Sequence, residues 1–432
     1  MISVESWGRI GIYPHNIMHL TAPDQALSIV KNNHPGIAYG MGKSYGDACL
    51  NPGQLLWNTR GLDHFIHFDA DNGRLTCEAG VLLRDIQQLF LPRGWCLPVT
   101  PGTQLITVGG AIANDVHGKN HHGFGSFCDQ VLRIQLARTD GSIIECSRHS
   151  SPDMFAATAG GVGLTGVIIT AELQLRHSPN LWLETETIPY YGLEEFFYLS
   201  DSSETEWEHT VSWIDCLSGT AAKGLFMRGR PARDYDKATQ PRRSRNIPIT
   251  PPLSLVNRLS LKPFNLTYYQ LQKLRPVQRH EYYEDFLYPL DHLTNWNRLY
   301  GPKGFYQYQS VVPRDSGMAT TQAMLDAIAS SGEGSFLAVL KTFGQRQSIG
   351  MLGFPRPGVT LALDFPNNGD ATKKLFERLD SIVRDAGGRI YLAKDARMSR
   401  EMFEAGYPLL NEFTRYRDPG ISSALSRRLM GS

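Results

Sequence analysis

Hydrophobic and polar positions change period several times along the chain. Pro23 to Lys31 reads as a short helix, followed by a strand around Ile37–Tyr39 and a glycine loop. Residues 64–80, HFIHFDADNGRLTCEAG, predict two strands joined by an Asp-Asn-Gly turn. A helix over Leu82–Leu91 then stops at Pro92-Arg93-Gly94. Residues 101–127 are a long Gly-, Asn- and His-rich stretch without a clear element. Residues 130–146 form a hairpin through Asp140-Gly141, and a strand-like run from Val167 follows the glycines at 160–166. Further strands are predicted over Gly304–Val312, Ser335–Lys341 and Val359–Phe365, with helices over Thr320–Ser330 and Ala371–Ala386. Residues 389–397, RIYLAKDAR, read as a strand running into a polar turn. Strands and helices mix without strict βαβ alternation, which predicts an α+β fold.

Length makes one undivided core implausible: the chain has 432 residues, and single cores stop growing at roughly 250–300. The character shifts after about Ser178, where aromatics become denser. Residues 228–262 open with the Arg/Pro-rich run RGRPARDYDKATQPRRSRNIPITPP, expected as a mobile loop, a functional lid, a linker or a plain solvated loop. Lys plus Arg minus Asp plus Glu is 43 − 42 = +1, which argues against nucleic acid as a partner. Six cysteines without a CxxC pair read as reduced thiols. The N-terminus has no basic segment ahead of an apolar one, and no apolar run approaches the roughly 18 residues of a membrane span. The expectation is a cytoplasmic protein without signal peptide or transmembrane segment, with peripheral membrane contact left open.

The glycines cluster three times. The first cluster is Gly40-Met41-Gly42-Lys43-Ser44-Tyr45-Gly46-Asp47, in which small residues after a strand let backbone N–H groups converge on an anion. A P-loop would need glycine where Ile37 stands, and a helix where Gly46, Pro52 and Gly53 interrupt. The second runs from Pro101 to Gly123 and includes TVGGAIAN; paired glycines there permit close approach to a flat ligand. His117 and His121 have the i,i+4 spacing of metal ligands, but Gly118 and Gly123 make a helix poor, and no metal is expected. The third, Gly161-x-Gly163-x-x-Gly166, is a formal dinucleotide fingerprint that leads into a strand instead of a helix.

In this order the three clusters resemble the FAD-binding domain of the vanillyl-alcohol-oxidase/PCMH flavoprotein family. The segments GMGKSYGD, PGTQLITVGGAIANDVHGKNHH, GGVGLTG, WNRLYGPKGFYQYQ, FLAVLKTFG, LDFP and RIYLAKDAR extend the resemblance from about Trp7 to Arg427. They narrow it to the branch that oxidises polyprenyl-phospho-β-D-ribose. The resemblance implies a PCMH-type FAD-binding domain over 1–180 and 389–432. It implies a substrate-binding domain over 181–388, built on an antiparallel sheet with flanking helices.

It also implies roles. Gly40, Gly42, Lys43, Ser44, Tyr45 and Gly46 would contact the FAD pyrophosphate. Gly102, Thr107, Gly109, Gly110, Asn114 and His117 would line the flavin, Ile168 would touch the adenine portion, and Tyr391 would return to the flavin ring. Lys394 would sit at the flavin face as the proton acceptor, with Tyr45 and His117 as further catalytic candidates. Gln307, Gln309, Lys341, Lys119 and Trp213 would shape the sugar-phosphate pocket. Some family members tether flavin through a histidine at the place of Lys43, so non-covalent FAD is expected here. Some relatives carry a cysteine where this chain has Ala362. The implied reaction is oxidation of the ribose 2′-hydroxyl of a lipid-linked sugar phosphate to a 2′-keto sugar. A separate NADH-dependent keto-reductase would complete epimerisation to the arabinose lipid. The alternative is a soluble alditol or aldonolactone oxidase of the same family.

Overall fold

The computed structural model describes residues 1–178, 180–235, 237 and 244–431. Residues 236 and 238–243 of the 228–262 segment lie outside these. The fold is α+β. A four-stranded sheet orders Ile2–Glu5, Ile12–His19, Leu55–Asn58 and Gly36–Tyr39. A five-stranded antiparallel sheet orders Phe65–Asp69, Arg74–Glu78, Val167–Gln174, Val131–Ala137 and Ile143–Ser147. The Asp-Asn-Gly turn closes because Asp69 Oδ1 accepts from the N–H of Asp71 and of Asn72, each at 3.1 Å, while Gly73 takes φ +66°.

An eight-stranded antiparallel sheet follows, in the order Gln278–Tyr282, Trp182–Tyr190, Gly224–Pro231, His209–Ile214, Ala338–Phe343, Gly358–Pro366, Phe305–Val312, Arg389–Ile390. The helices Arg314–Ser331 and Asp370–Asp385 pack on one face and bury Leu325, Ile328, Leu375, Leu379 and Val383. The other face is left for the cavity described below. In the 228–262 segment, Arg245–Asn246 pairs in parallel with Leu293–Thr294, and Asn257 caps the helix Arg258–Lys273 through the N–H groups of Leu259 and Ser260.

The helix expected over Thr320–Ser330 begins earlier, at Arg314, and the helix Arg258–Lys273 starts inside the segment expected as a loop. Three further elements differ from the sequence pattern for a visible reason. The 101–127 stretch contains the helix Val108–Ala113 despite its two glycines. Val108 N–H donates to Val81 O at 2.9 Å and Gly109 N–H to Ala79 O at 2.8 Å, so tertiary bonds override weak propensity. The strand expected over Ser335–Lys341 starts later, at Ala338, because Ser335 Oγ accepts from Leu337 N–H and folds a local turn. The strand expected from 389 is only Arg389–Ile390. Lys394 and Asp395 donate their N–H groups back to Tyr391 O at 3.0 and 3.1 Å, closing a helical turn.

The C-terminal residues return to the first half of the molecule. Ile421 bridges Gly36, and the Arg428 guanidinium pairs with Asp47 at 2.9 Å and Asp395 at 2.8 Å. Among the described residues no helix is long and apolar enough to cross a membrane.

Candidate active site

A cavity of about 1080 Å³ lies between the glycine loops and the open face of the eight-stranded sheet. Every site residue named from the sequence lines it except Gly46. Gly46 stands directly behind: a Cβ there would lie 1.7 Å from the carbonyl oxygen of Asp395.

One wall is main chain. The first loop is pinned at its end, where Trp7 N–H donates to Ser44 O and Tyr45 N–H to Ala393 O, both at 3.0 Å. Its tip is not pinned. The N–H groups of Met41, Gly42 and Lys43 meet no acceptor among the described residues, and Gly42 has φ +60°. That alternation of hand produces an anion-binding concavity. A Cβ on Gly42 would meet the Tyr39 hydroxyl at 2.2 Å, so it is a neighbouring side chain, ahead of any ligand, that excludes one. Lys43 lies over the Trp7 ring at 3.4 Å, its ammonium brought down to about 8 by burial and held up in part by Asp291.

The second loop meets the first, since a Cβ on Gly40 would lie 2.7 Å from Thr107 Oγ1. Gly102 faces open space, with nothing within 4 Å of its Cβ position. Asn114 donates through Nδ2 to Gly110 O at 2.8 Å, while its buried Oδ1 has no partner. Tyr391 donates through its hydroxyl to Asn114 O at 2.8 Å and stacks on Phe354 with centroids 4.5 Å apart. Ile168 continues the wall. Orphan amides at one end, an orphan amide oxygen further along and side-chain-free backbone between them fit FAD: a phosphate-bearing chain on the first loop and a flat hydrogen-bonding ring on the second.

The facing wall is side chain. Antiparallel register sets Trp213 beside Val339, Val339 beside Ala362 and Ala362 beside Gln309, one row across the sheet. Trp213 Nε1 donates to Phe336 O at 2.9 Å. Lys341 Nζ lies 3.0 Å from His117 Nδ1 and donates to Gly118 O at 2.5 Å. An ammonium donating to Nδ1 places the ring proton on Nε2, where Gln309 lies at 3.1 Å; an amide flip there supplies the acceptor. Burial and the neighbouring Lys341 hold His117 well below the usual histidine range, so the ring is neutral. The histidine pair singled out in the sequence packs on one ring, with His117 4.9 Å and His121 4.5 Å from Phe343.

Lys119 donates to the carbonyls of Phe286 and Leu287. Burial brings both Lys119 and Lys341 down to about 7. Each of these lysines already has protein carbonyl partners, so binding a phosphate requires an exchange of acceptors.

At the seam between the walls, the Lys394 ammonium stands 3.8 Å from the centroid of the Tyr45 ring. Burial lowers its pKa, and the Asp364 carboxylate opposes that fall. Asp364 is itself raised by burial. It accepts from Gln307 Nε2 at 2.5 Å through Oδ1, while Oδ2 has no partner. Tyr45 is pushed well above its ordinary value by burial and by Asp364. Asp364 is the residue the sequence pattern does not assign to the site. A signal for it exists: Ala362 falls on the pocket wall, and a residue two further along a strand shares its face.

Comparison with known proteins adds an independent line. The family described as FAD binding domain matches residues 24–147. Decaprenylphosphoryl-β-D-ribose oxidase of Mycolicibacterium smegmatis is 33% identical over 98% of this chain and 96% of its own length. An uncharacterized protein of the mprA 5′ region of Streptomyces coelicolor is 31% identical over 81% of this chain and 100% of its own. L-Gulonolactone oxidase of Mus musculus is 31% identical over 31% of this chain and 30% of its own.

Proposed function

The chain belongs to the decaprenylphosphoryl-β-D-ribose oxidase family, and from that premise we propose how its residues oxidise the 2′-hydroxyl of a polyprenyl-phospho-β-D-ribose to the 2′-keto sugar. It is an FAD-dependent oxidoreductase acting on a CH–OH group. The observation that carries the assignment of roles is Lys394: a half-buried amine with a lowered pKa, facing the cavity at the seam where the glycine-lined wall meets the polar sheet face.

FAD, when bound, supplies the hydride acceptor. Met41, Gly42 and Lys43 would hold its phosphates through main-chain N–H groups, and Asn114 Oδ1 would accept from its ring system. Lys394 Nζ takes the proton of the sugar hydroxyl, because burial makes its neutral form accessible near neutral pH. The Asp364 carboxylate, anchored by Gln307, favours the charged form of that amine. The hydroxyl of Tyr45 stays protonated, so it serves as a hydrogen-bonding group and not as the base. Gln309, neutral His117 and Lys341 form the polar row for the sugar, and Trp213 its apolar side.

Two features support non-covalent FAD. Lys43 stands where a tethering histidine would be needed, and both ring nitrogens of His117 are already engaged. The oxidation is one half of an epimerisation, so a separate NADH-dependent reductase acts on the ketone. Work on a lipid-linked sugar calls for contact with a membrane surface.

The test has two stages. Acid precipitation of the purified yellow protein should leave the flavin in the supernatant; flavin in the pellet refutes the non-covalent reading. The protein should then convert farnesyl-phospho-β-D-ribose to a ketone, trapped with borodeuteride, and leave L-gulono-1,4-lactone untouched. The reverse preference would assign it to small carbohydrates.

A further inference from the structure

Among the described residues, nine of the twenty large hydrophobic side chains left exposed lie between Ile249 and Val277. The helix Arg258–Lys273 organises them. Its inner face buries Leu261, Asn265 and Tyr269, at successive i,i+4 positions. Its outer face carries Leu259, 88% exposed, and Leu266, with Leu274, 81% exposed, just beyond its end. Ile249 and Leu253, on the segment leading into the helix, are 74% and 78% exposed. Isolated exposed leucines need no explanation, but a concentration of this kind marks an interaction surface.

The charge on the same stretch is one-sided. Residues 244–280 contain six Lys or Arg and no Asp or Glu, in a chain whose net charge is only +1. Lys262, Lys273 and Arg275 are exposed and have no ion-pair partner among the described residues. A helix with leucines outward and basic residues along its edge has the composition of one that lies in the plane of a bilayer. The stretch is also continuous with the cavity: Phe264, Tyr268, Gln272 and Arg275 line its mouth.

We infer that residues 249–277 are a docking surface for an anionic lipid bilayer. Leu259, Leu266 and Leu274 enter the acyl boundary, and Lys262, Lys273 and Arg275 meet anionic head groups. The cavity mouth is thereby laid on the head-group plane. A substrate whose tail stays in the bilayer then reaches the site by lateral motion, without extraction into water. This purpose rests on the lipid-linked substrate proposed above, whereas the surface itself rests on exposure and charge alone.

The experiment floats the holoenzyme with vesicles of phosphatidylcholine alone, or of phosphatidylcholine and phosphatidylglycerol in equal parts, and reads flavin in the floated band. Binding should be at least about tenfold greater to the mixed vesicles and should weaken with added salt. Two double variants are compared, Leu259→Asp with Leu274→Asp and Lys262→Glu with Lys273→Glu. Each should lose about tenfold or more of this binding while retaining turnover of the water-soluble farnesyl substrate. Flotation of both variants at the level of the unmodified enzyme overturns the proposal. So does an enzyme that ignores both vesicles, including one that instead dimerises through this helix in a manner abolished by Leu259→Asp with Leu274→Asp. An enzyme that floats as expected but does not oxidise the farnesyl substrate upholds the surface and refutes the substrate reading.

Discussion

The two walls of the cavity perform their work with different parts of the polypeptide. The first glycine loop presents main-chain N–H groups, and its working atoms are the ones every residue has. What makes the loop distinctive is the absence of side chains, at Gly40, Gly42 and Gly46. The wall around Lys394 presents ionisable side chains, with Lys394 over the Tyr45 ring and Asp364 accepting from Gln307. A main-chain site fails by being obstructed, and its working N–H groups do not titrate. A side-chain site fails by losing a proton acceptor or its partner, and it can do so while the fold and the cofactor stay in place.

Gly46→Ala is the largest test of that contrast. The added carbon would stand 1.7 Å from a backbone carbonyl oxygen, which cannot move aside as a flexible side chain can. The variant should purify without visible flavin absorbance; a fully yellow Gly46→Ala protein would break the comparison. Lys394→Ala comes next. Flavin content should be unchanged, while turnover falls by about 10²–10⁴, the usual contribution of a general base. Unchanged turnover removes Lys394 from the mechanism, and loss of flavin would mean the two walls are not separable.

Asp364→Asn has the smallest expected effect and is the most diagnostic. The carboxylate favours the charged form of Lys394, so a neutral amide lets the amine lose its proton more readily. The rising limb of kcat/KM against pH, which belongs to the Lys394–Asp364 pair, should therefore move to lower pH. Flavin retention should stay flat over the same range. A limb that stays put, or moves to higher pH, assigns the titration to another group.

The same contrast explains what is legible in the sequence. Backbone function writes itself as glycine, so the first and second loops stand out from residue order alone, and Gly40 and Gly42 fall at one cavity wall with Gly46 directly behind it. The helix Val108–Ala113 does not stand out, because Gly109 and Gly110 argue against a helix and only bonds to Val81 and Ala79 reverse that. Side-chain function is legible only where a resemblance supplies it. Lys341 and His117 are 224 residues apart, and no local pattern joins them. Asp364 sits in an apolar run that reads as a buried strand, and its charge is absorbed into that pattern. The resemblance implies Lys119 and Lys341 in the sugar-phosphate pocket; their carbonyl partners come from Phe286, Leu287 and Gly118, which periodicity does not bring near.

The returning C-terminal segment sets an order of events during synthesis. Tyr45 is anchored on Ala393, Gly46 fits against Asp395, and Arg428 clamps Asp47 to Asp395. A loop around Tyr45 is thus finished by residues far along the chain, Arg428 lying 381 positions beyond Asp47. The cradle therefore closes only after the chain between these residues has been made. A nascent chain stalled before Arg428 therefore carries an incomplete flavin site.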